Sequence, residues 1–406
     1  MEVNPARSTA RRHSRNITLP VRGGDPFRLE NALALLTKPG QWCVHSSAGR
    51  VYYWPPEGRM DGVRIHASVL FNLVRFSDEE EGTGLVKHVH LRGLVLMHTD
   101  RMSEHQWPDH WIRRNGDNPE GAVHFHGAED CSIEMCRLFY AGGYGVSLER
   151  QARRIRVVGN EMAYLGGGGV MLTGQGPGTV HERGQNVISR NYIHHAGLAY
   201  TSAAGIAAYG SGQNLISYNY LHDLLACGVA ILGVPTADLN RRSQLAQRVD
   251  AYGSYEDRYK VQWEQMPPGS RERFHEDAGT LTRADVRRFL QSGSNLVGRN
   301  IISSAGCGLY AIACGGGNAW VQNVIYTPRP SAADPIVMDD EADQAIVRGN
   351  VAWSAGTLVS RSEDNVVAGN AVEPNRSEAF DLLLGRIMDE VGRQGGYAGR
   401  PRPLPK

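Results

Sequence analysis

The sequence predicts an all-β protein, a single-stranded right-handed parallel β-helix, with a helical insertion and an N-terminal β cap. Three observations lead there. The octapeptide ISRNYIHH (188–195) returns almost unchanged as ISYNYLHD (216–223). The strand-like segments around it recur at a spacing of about 20–27 residues wherever the loops are short, as one coil of a solenoid requires. One asparagine keeps its place in each repeat: Asn160, Asn191, Asn219, Asn300, Asn323, Asn350 and Asn370.

Each repeat has two readable parts. The first is a short alternating segment: AVHFHG (122–127), GVSLER (145–150), GVMLTG (169–174), GIAAYG (205–210), GVAILG (228–233), GLYAIA (308–313), PIVMDD (335–340) and TLVSRS (357–362). Such alternation is that of a strand, with every second side chain on one face. Val123, Phe125, Val146, Leu148, Val170, Leu172, Val229, Ile231, Ile336 and Met338 are expected to fill the coil. The second part carries the asparagine. Stacked coils stand roughly 4.8 Å apart, so each Asn amide can donate to the next and satisfy a buried polar column. Asn also tolerates the left-handed backbone of a bend. Cys136 takes this place in the first coil, where the ladder is expected to end.

The chain divides accordingly. Residues 1–24 read as a disordered leader and 25–120 as an N-terminal β subdomain capping the solenoid. The parallel β-helix spans 121–375, and 376–406 hold a C-terminal helix and tail. QWCVHSSAGRVYYWPPEG reads as a hairpin turning at SSAG, and HVHLRGLVLMHTD as the first strand of the helix proper. Two insertions interrupt the period. One is Gly-rich, GQGPGTVHERGQ from Gly174; the other, 234–292, is charged and amphipathic, with helical character. The latter is read as a wall over the binding face or as a surface excursion.

Bulk properties bound the function. With 406 residues, 41% hydrophobic and 21% charged, the chain reads as globular and soluble. A net charge of +1 leaves no footprint for nucleic acid or an anionic membrane, and a monomer is the expected state. No apolar stretch reaches a membrane span. The Arg-rich start lacks the apolar core of a secretory signal, which leaves the cytoplasm as the default location. Six cysteines include no CxxC pair, so no zinc site is expected and no cofactor is implied. Cys227 and Cys307 precede corresponding glycines and are stacked neighbours, close enough for a disulfide.

The outward positions of the first strand form two columns. One holds His126, Glu149, Thr173, Tyr209, Leu232, Ile312, Asp339 and Arg361; the other includes His124, Ser147, Met171, Tyr310 and Val337. Together they make a polar and aromatic stripe suited to a long saccharide. MDDEAD is its strongest chemical spot: Asp339 points outward, Asp340 sits at the bend and Glu341 follows. Paired carboxylates raise one another's pKa, and an acid with a base is what glycoside hydrolysis uses. The same residues read alternatively as a capping turn or a Ca²⁺ site of oxygen ligands. His195 and Asp223 share a column at the groove's edge, either as a supporting hydrogen-bonded pair or as a turn ladder without chemistry.

LENALALLTKPGQWCVHSSAGRVYYWPPEG (29–58) and GIAAYGSGQNLISYNYLHD (205–223) resemble right-handed parallel β-helix proteins of carbohydrate metabolism, with a pectate-lyase-like solenoid. The nearest resemblance is to glycoside hydrolase family 141-like proteins, which cleave fucosides and xylan and are exported; it covers roughly residues 28–375. It implies acidic residues in two segments. PIVMDDEAD matches the second, so Asp339 and Asp340 carry over. AGCGLY (305–310) matches the first, with Ala305 in place of an aspartate. Asp223, Glu341 or Glu149 must then supply the second carboxylate, with His126, Glu149, His195, Tyr209, Tyr310, Glu341 and Arg361 lining the saccharide. A polysaccharide lyase using Arg361, Tyr209 or His126 and a non-catalytic carbohydrate-binding solenoid remain as alternatives.

Overall fold

The computed structural model describes residues 9–11, 18–20, 32–77, 84–101, 121–149, 152–173, 184–233, 292–304, 306–327, 334–339 and 341–374. The chain forms two compact units, Met1–Ala67 and Ser68–Lys406. In the first, Trp42–His45 pairs antiparallel with Arg50–Tyr53 around the 3-10 turn Ser46–Ala48, the hairpin read from the sequence. The stretch expected to be a disordered leader holds a second antiparallel pair, Thr9–Arg11 with Thr18–Pro20, in which β-branched threonines occupy both strands.

The second unit is a parallel β-helix. Its three sheets each hold nine strands and run the length of the unit. Sheet A comprises Val74–Ser77, Gly121–His126, Tyr144–Glu149, Val170–Thr173, Ile206–Tyr209, Val229–Leu232, Leu309–Ile312, Ile336–Met338 and Leu358–Ser360. Sheet B begins at His90–Arg92 and ends at Val366–Ala368; sheet C begins at Val95–Met97 and ends at Ala371–Glu373. One strand from each makes a coil, and coils 1 to 9 follow chain order. The solenoid therefore starts at Val74 and not at 121. Val74–Ser77 pairs with Gly121–His126, so part of the stretch read as a cap is the first coil. Its short alternating strands are those of every other coil, but no ladder asparagine marks them.

The coil interior is filled as the alternation requires. Val123, Phe125, Val146, Leu148, Val170, Leu172, Ile206, Val229, Ile231 and Ile336 are buried in one continuous core with Trp320 and Ile325. Each fully buried aliphatic side chain contributes roughly 1.5–3 kcal/mol. A glycine opens the coil at Gly228, where a β-carbon would lie 2.3 Å from Ile302 Cγ2 and 2.6 Å from the Gly308 carbonyl oxygen.

Two asparagine ladders flank sheet B. In the expected one, Asn160 donates through Nδ2 to Asn191 Oδ1 (3.0 Å), and the chain continues through Asn219, Asn300, Asn323 and Asn350 to Asn370. Cys136 stands at its end: its N–H donates to Asn160 Oδ1, and its Sγ accepts from the Leu94 N–H. The other ladder, unremarked in the sequence, links Asn186, Asn214, Asn295 and Asn318 at the opposite bend. The asparagines themselves do not adopt the left-handed backbone. The residue before each does: Arg190, Tyr218, Arg299 and Gln322 have φ of 54–57°, and Gly159, Gly349 and Gly369 also have positive φ. That residue turns the chain, and the Asn amide behind it satisfies the bend.

The 234–292 insertion joins the sheet A and sheet B strands of coil 6. It lies outside the described residues up to 291, as do the Gly-rich loop from Gly174 and the C-terminal helix from 376. Ser292 at its end donates a hydroxyl hydrogen bond to the Leu232 carbonyl. Among the described residues, no helix is long and apolar enough to cross a membrane.

Candidate functional site

Sheet A brings the predicted columns into register. His126, Glu149, Thr173, Tyr209, Leu232 and Ile312 stand opposite one another in successive coils, with Asp339 and Arg361 continuing the line. Among the described residues the stripe is not accessible along its whole length. From coil 2 to coil 6 the outward side chains other than the partly exposed Glu149 are buried: His124, Ser147, Met171, Tyr209, Ala230 and Leu232 are nearly inaccessible. Tyr144, Ala203, Ala204 and Cys227 pack against Met171, Tyr209 and Leu232 to make a second apolar core outside the solenoid. Tyr209 therefore fills space instead of presenting a ring to a sugar. Accessibility returns in coils 7 to 9, where Tyr310, Ile312, Val337 and Asp339 are half-buried and Arg361 is exposed.

Asp339 is held at that opening. Tyr310 OH donates to its Oδ2 at 2.9 Å, and Arg361 Nε lies 2.9 Å from Oδ1. The three residues come from three adjacent coils, so the register of sheet A sets their geometry. Burial pushes the Tyr310 hydroxyl well above its ordinary range, and its hydrogen bond to Asp339 adds to the shift. Tyr310 is thus a fixed proton donor to the carboxylate. The Asp339 side chain remains 22% exposed, enough to reach a ligand. Glu341 follows on the turn with φ of 60°, and Asp340 lies outside the described residues.

The other proposed carboxylates are elsewhere. Glu149 is in coil 3 and Asp339 in coil 8, about 24 Å apart along the axis at one strand spacing per coil. Asp223 lies near the end of the sheet C strand of coil 5, three coils or about 14 Å from Asp339 along the axis alone. Acid and base in glycoside hydrolysis stand about 5–9.5 Å apart. Neither Glu149 nor Asp223 can therefore pair with Asp339 across one bond. The coil order of the column, at one strand spacing per coil, already carries this separation for Glu149.

His195 and Asp223 meet as the second pair. His195 Nε2 lies 3.7 Å from Asp223 Oδ2, and His222 Nδ1 makes the shorter contact with the same oxygen at 2.8 Å. His222 Nε2 bonds the Tyr192 hydroxyl at 2.7 Å, and the His194 and His222 rings stack at 5.1 Å. His195 and Asp223 have φ near 50°, continuing the left-handed column of His98, Tyr140 and Tyr164. Tyr140 and Tyr164 stack on each other at 5.2 Å, so their ring faces are used within the column. This is a turn ladder in geometry. Cys227 and Cys307 are reduced, with no disulfide between them.

His126 and Glu149 form a third constellation with His124, a residue the sequence reading placed only in the stripe. All three project from the outward face of coils 2 and 3, and their ligand atoms lie within 4.8 Å of one another. The signal for it was the HFH triplet on a strand, with a glutamate one coil later.

Comparison with known proteins supports the architecture. Residues 121–241 match the family model "Right handed beta helix region", so the winding is right-handed. No curated protein matches the sequence. A solved structure named "Glycoside hydrolase" is similar over 87% of this chain, with a TM-score of 0.60 and 16% identity. The chain spans 59% of that protein's length. A GH136 lacto-N-biosidase from Eubacterium ramulus (TM-score 0.37, 12% identity, 71% of this chain and 43% of that one) is a more distant likeness. So is the surface protein and adhesin PfbA of Streptococcus pneumoniae (TM-score 0.31, 10% identity, 77% and 83%). At 16% identity the first of these is a likeness of fold.

Proposed function

We propose that this protein is a glycoside hydrolase that takes an oligosaccharide or polysaccharide against coils 7 to 9 of sheet A, with Asp339 as its central carboxylate. The observation that carries the reading is the position of Asp339: oriented by Tyr310 and Arg361, partly accessible, on the stretch of sheet A whose outward face is open. A carboxylate that accepts from a phenol and a guanidinium is held in a fixed orientation, as a member of an acid/base or nucleophile pair must be. The proton donor must stand within about 10 Å of it. Asp340 and Glu341 are adjacent in the chain and are the assigned candidates, in place of Glu149 and Asp223. A glycoside hydrolase with a similar solenoid supports the substrate class.

A lyase reading is weaker at this site. It needs a side chain that abstracts a proton beside a uronate carboxylate. Tyr310 is held protonated by burial and by Asp339, and Arg361 is paired with the same carboxylate. His126 is about six coils away, roughly 29 Å along the axis. A panel of neutral and uronate-containing oligosaccharides separates the chemistries. New reducing ends without ultraviolet-absorbing unsaturated product support hydrolysis; unsaturated product supports the lyase; binding without turnover supports a carbohydrate-binding solenoid.

A further inference from the structure

The buried cluster of His124, His126 and Glu149 has no part in the proposed hydrolysis. His124 and His126 stand two residues apart on one strand, so both imidazoles leave the same face of sheet A. Glu149 is directly opposite His126 on the neighbouring strand. Its Oε2 lies 3.5 Å from His124 Nε2 and 3.6 Å from His126 Nδ1. Both separations exceed the usual 2.7–3.2 Å of an N–H···O bond. These two match edges of a coordination tetrahedron, since ligands about 2.0–2.2 Å from one metal stand roughly 3.3–3.6 Å apart. The His126 side chain is 93% buried, and among the described residues its Nδ1 makes no hydrogen bond. Burying such an atom without a partner costs roughly 1–3 kcal/mol.

The contact of His124 with Ser147 is compatible with the tautomer that a ligand needs. Its Nδ1 lies 2.7 Å from Ser147 Oγ, which also accepts the Gly121 N–H at 2.7 Å. In the tautomer whose Nδ1 donates to Ser147, the lone pair of His124 is on Nε2, the atom facing Glu149. A hydrogen bond from the far ring nitrogen is how ligating histidines are oriented. Two imidazoles and one carboxylate select a divalent first-row transition metal over Ca²⁺ or Mg²⁺, which take oxygen ligands.

We propose that His124 Nε2, His126 Nδ1 and a Glu149 carboxylate oxygen bind one divalent transition-metal ion of the Zn²⁺ class, these three being the ligands among the described residues. The inference stands whether or not the chain hydrolyses glycosides, because coil 8 is about five coils from the site.

Chelator-stripped full-length protein is loaded with Zn²⁺ at micromolar concentration, desalted and assayed for bound metal. The expected result is one zinc per chain for the wild type and for His222→Gln, which alters the separate histidine cluster. Glu149→Gln and His126→Gln are expected to lose at least ten-fold in retained zinc, with circular dichroism reporting their fold. Co²⁺ supplies a reading that needs no variant: the wild type is expected to show intensified visible d–d bands. Failure of the wild type to retain zinc, equal retention by folded Glu149→Gln and His126→Gln, or Co²⁺ bands identical to the aqueous ion would overturn the proposal.

Discussion

Asn219 donates its side-chain amide to Asn300 at 2.9 Å, although 81 positions separate them in sequence. The solenoid thus resumes in register after its longest interruption, through the same contact that joins coils with short loops. Asn219 Nδ2 also reaches the Ile188 carbonyl at 2.9 Å, and both asparagines are fully buried. Asn219→Ala or Asn300→Ala leaves backbone groups of two bends without a partner. Each substitution is expected to cost about 1–3 kcal/mol in chemical denaturation. Asn370→Ala, at the half-buried end of the ladder, is expected to cost less.

Alkaline conditions should destabilise the fold. Burial pushes Cys314 up to about 12 from its ordinary 9.0, and Cys227 also rises well above that value, burial first and its contact with Cys307 second. Tyr220 is pushed up to about 12 from 10.0, by burial first and then by the charges of Tyr192 and Asp223. Above pH 9 the unfolded chain releases protons that the folded chain keeps, so stability falls as pH rises toward 12 and is unaffected by these groups below pH 8. Thermal melts should show Tm lower at pH 10.5 than at pH 8.5, by roughly 3–5 °C. A flat or rising Tm would contradict this. In the same range Cys227 and Cys314 should resist alkylation until the chain unfolds.

Tyr310→Phe removes the donor on Asp339 Oδ2 while keeping the ring. A hydrogen bond to a charged group contributes about 1.5–3 kcal/mol, so kcat/KM on a hydrolysed saccharide is expected to fall roughly 10- to 100-fold. Arg361→Gln should have a smaller effect, because the guanidinium is mostly exposed and its ion pair is screened. Initial rates over a range of substrate concentrations measure both.

The fold was legible because a solenoid repeats its own evidence. Ile188 with Ile216, and Asn191 with Asn219, occupy identical environments in successive coils, and a hydrophobic position confirmed in one coil is confirmed in the next. Coil 1 was harder to read, since the Cys136 thiol, and not an asparagine, meets its Leu94 N–H. The second ladder escaped notice because Ile155 and Ala345 interrupt its column, leaving Asn186, Asn214, Asn295 and Asn318 as a shorter run. The site was less legible. A column predicts which side chains share a face, and Tyr310, Asp339 and Arg361 do meet. It does not say which part of the face is covered: Tyr209 and Leu232 share that face and are buried under Tyr144, Ala203 and Cys227. Membership of a face is also not proximity: Glu149 shares the face of Asp339 but stands five coils away, and Asp223 lies on sheet C three coils away.

Hydrolysis by Asp339→Asn tests the central reading most directly. This change keeps the shape of the side chain and removes its charge. On a saccharide that the wild type cleaves, release of reducing ends should fall by roughly 10²–10⁴-fold, with circular dichroism unchanged. Wild-type-like release by Asp339→Asn, or no cleavage of any saccharide by the wild type across a broad panel, would contradict the account.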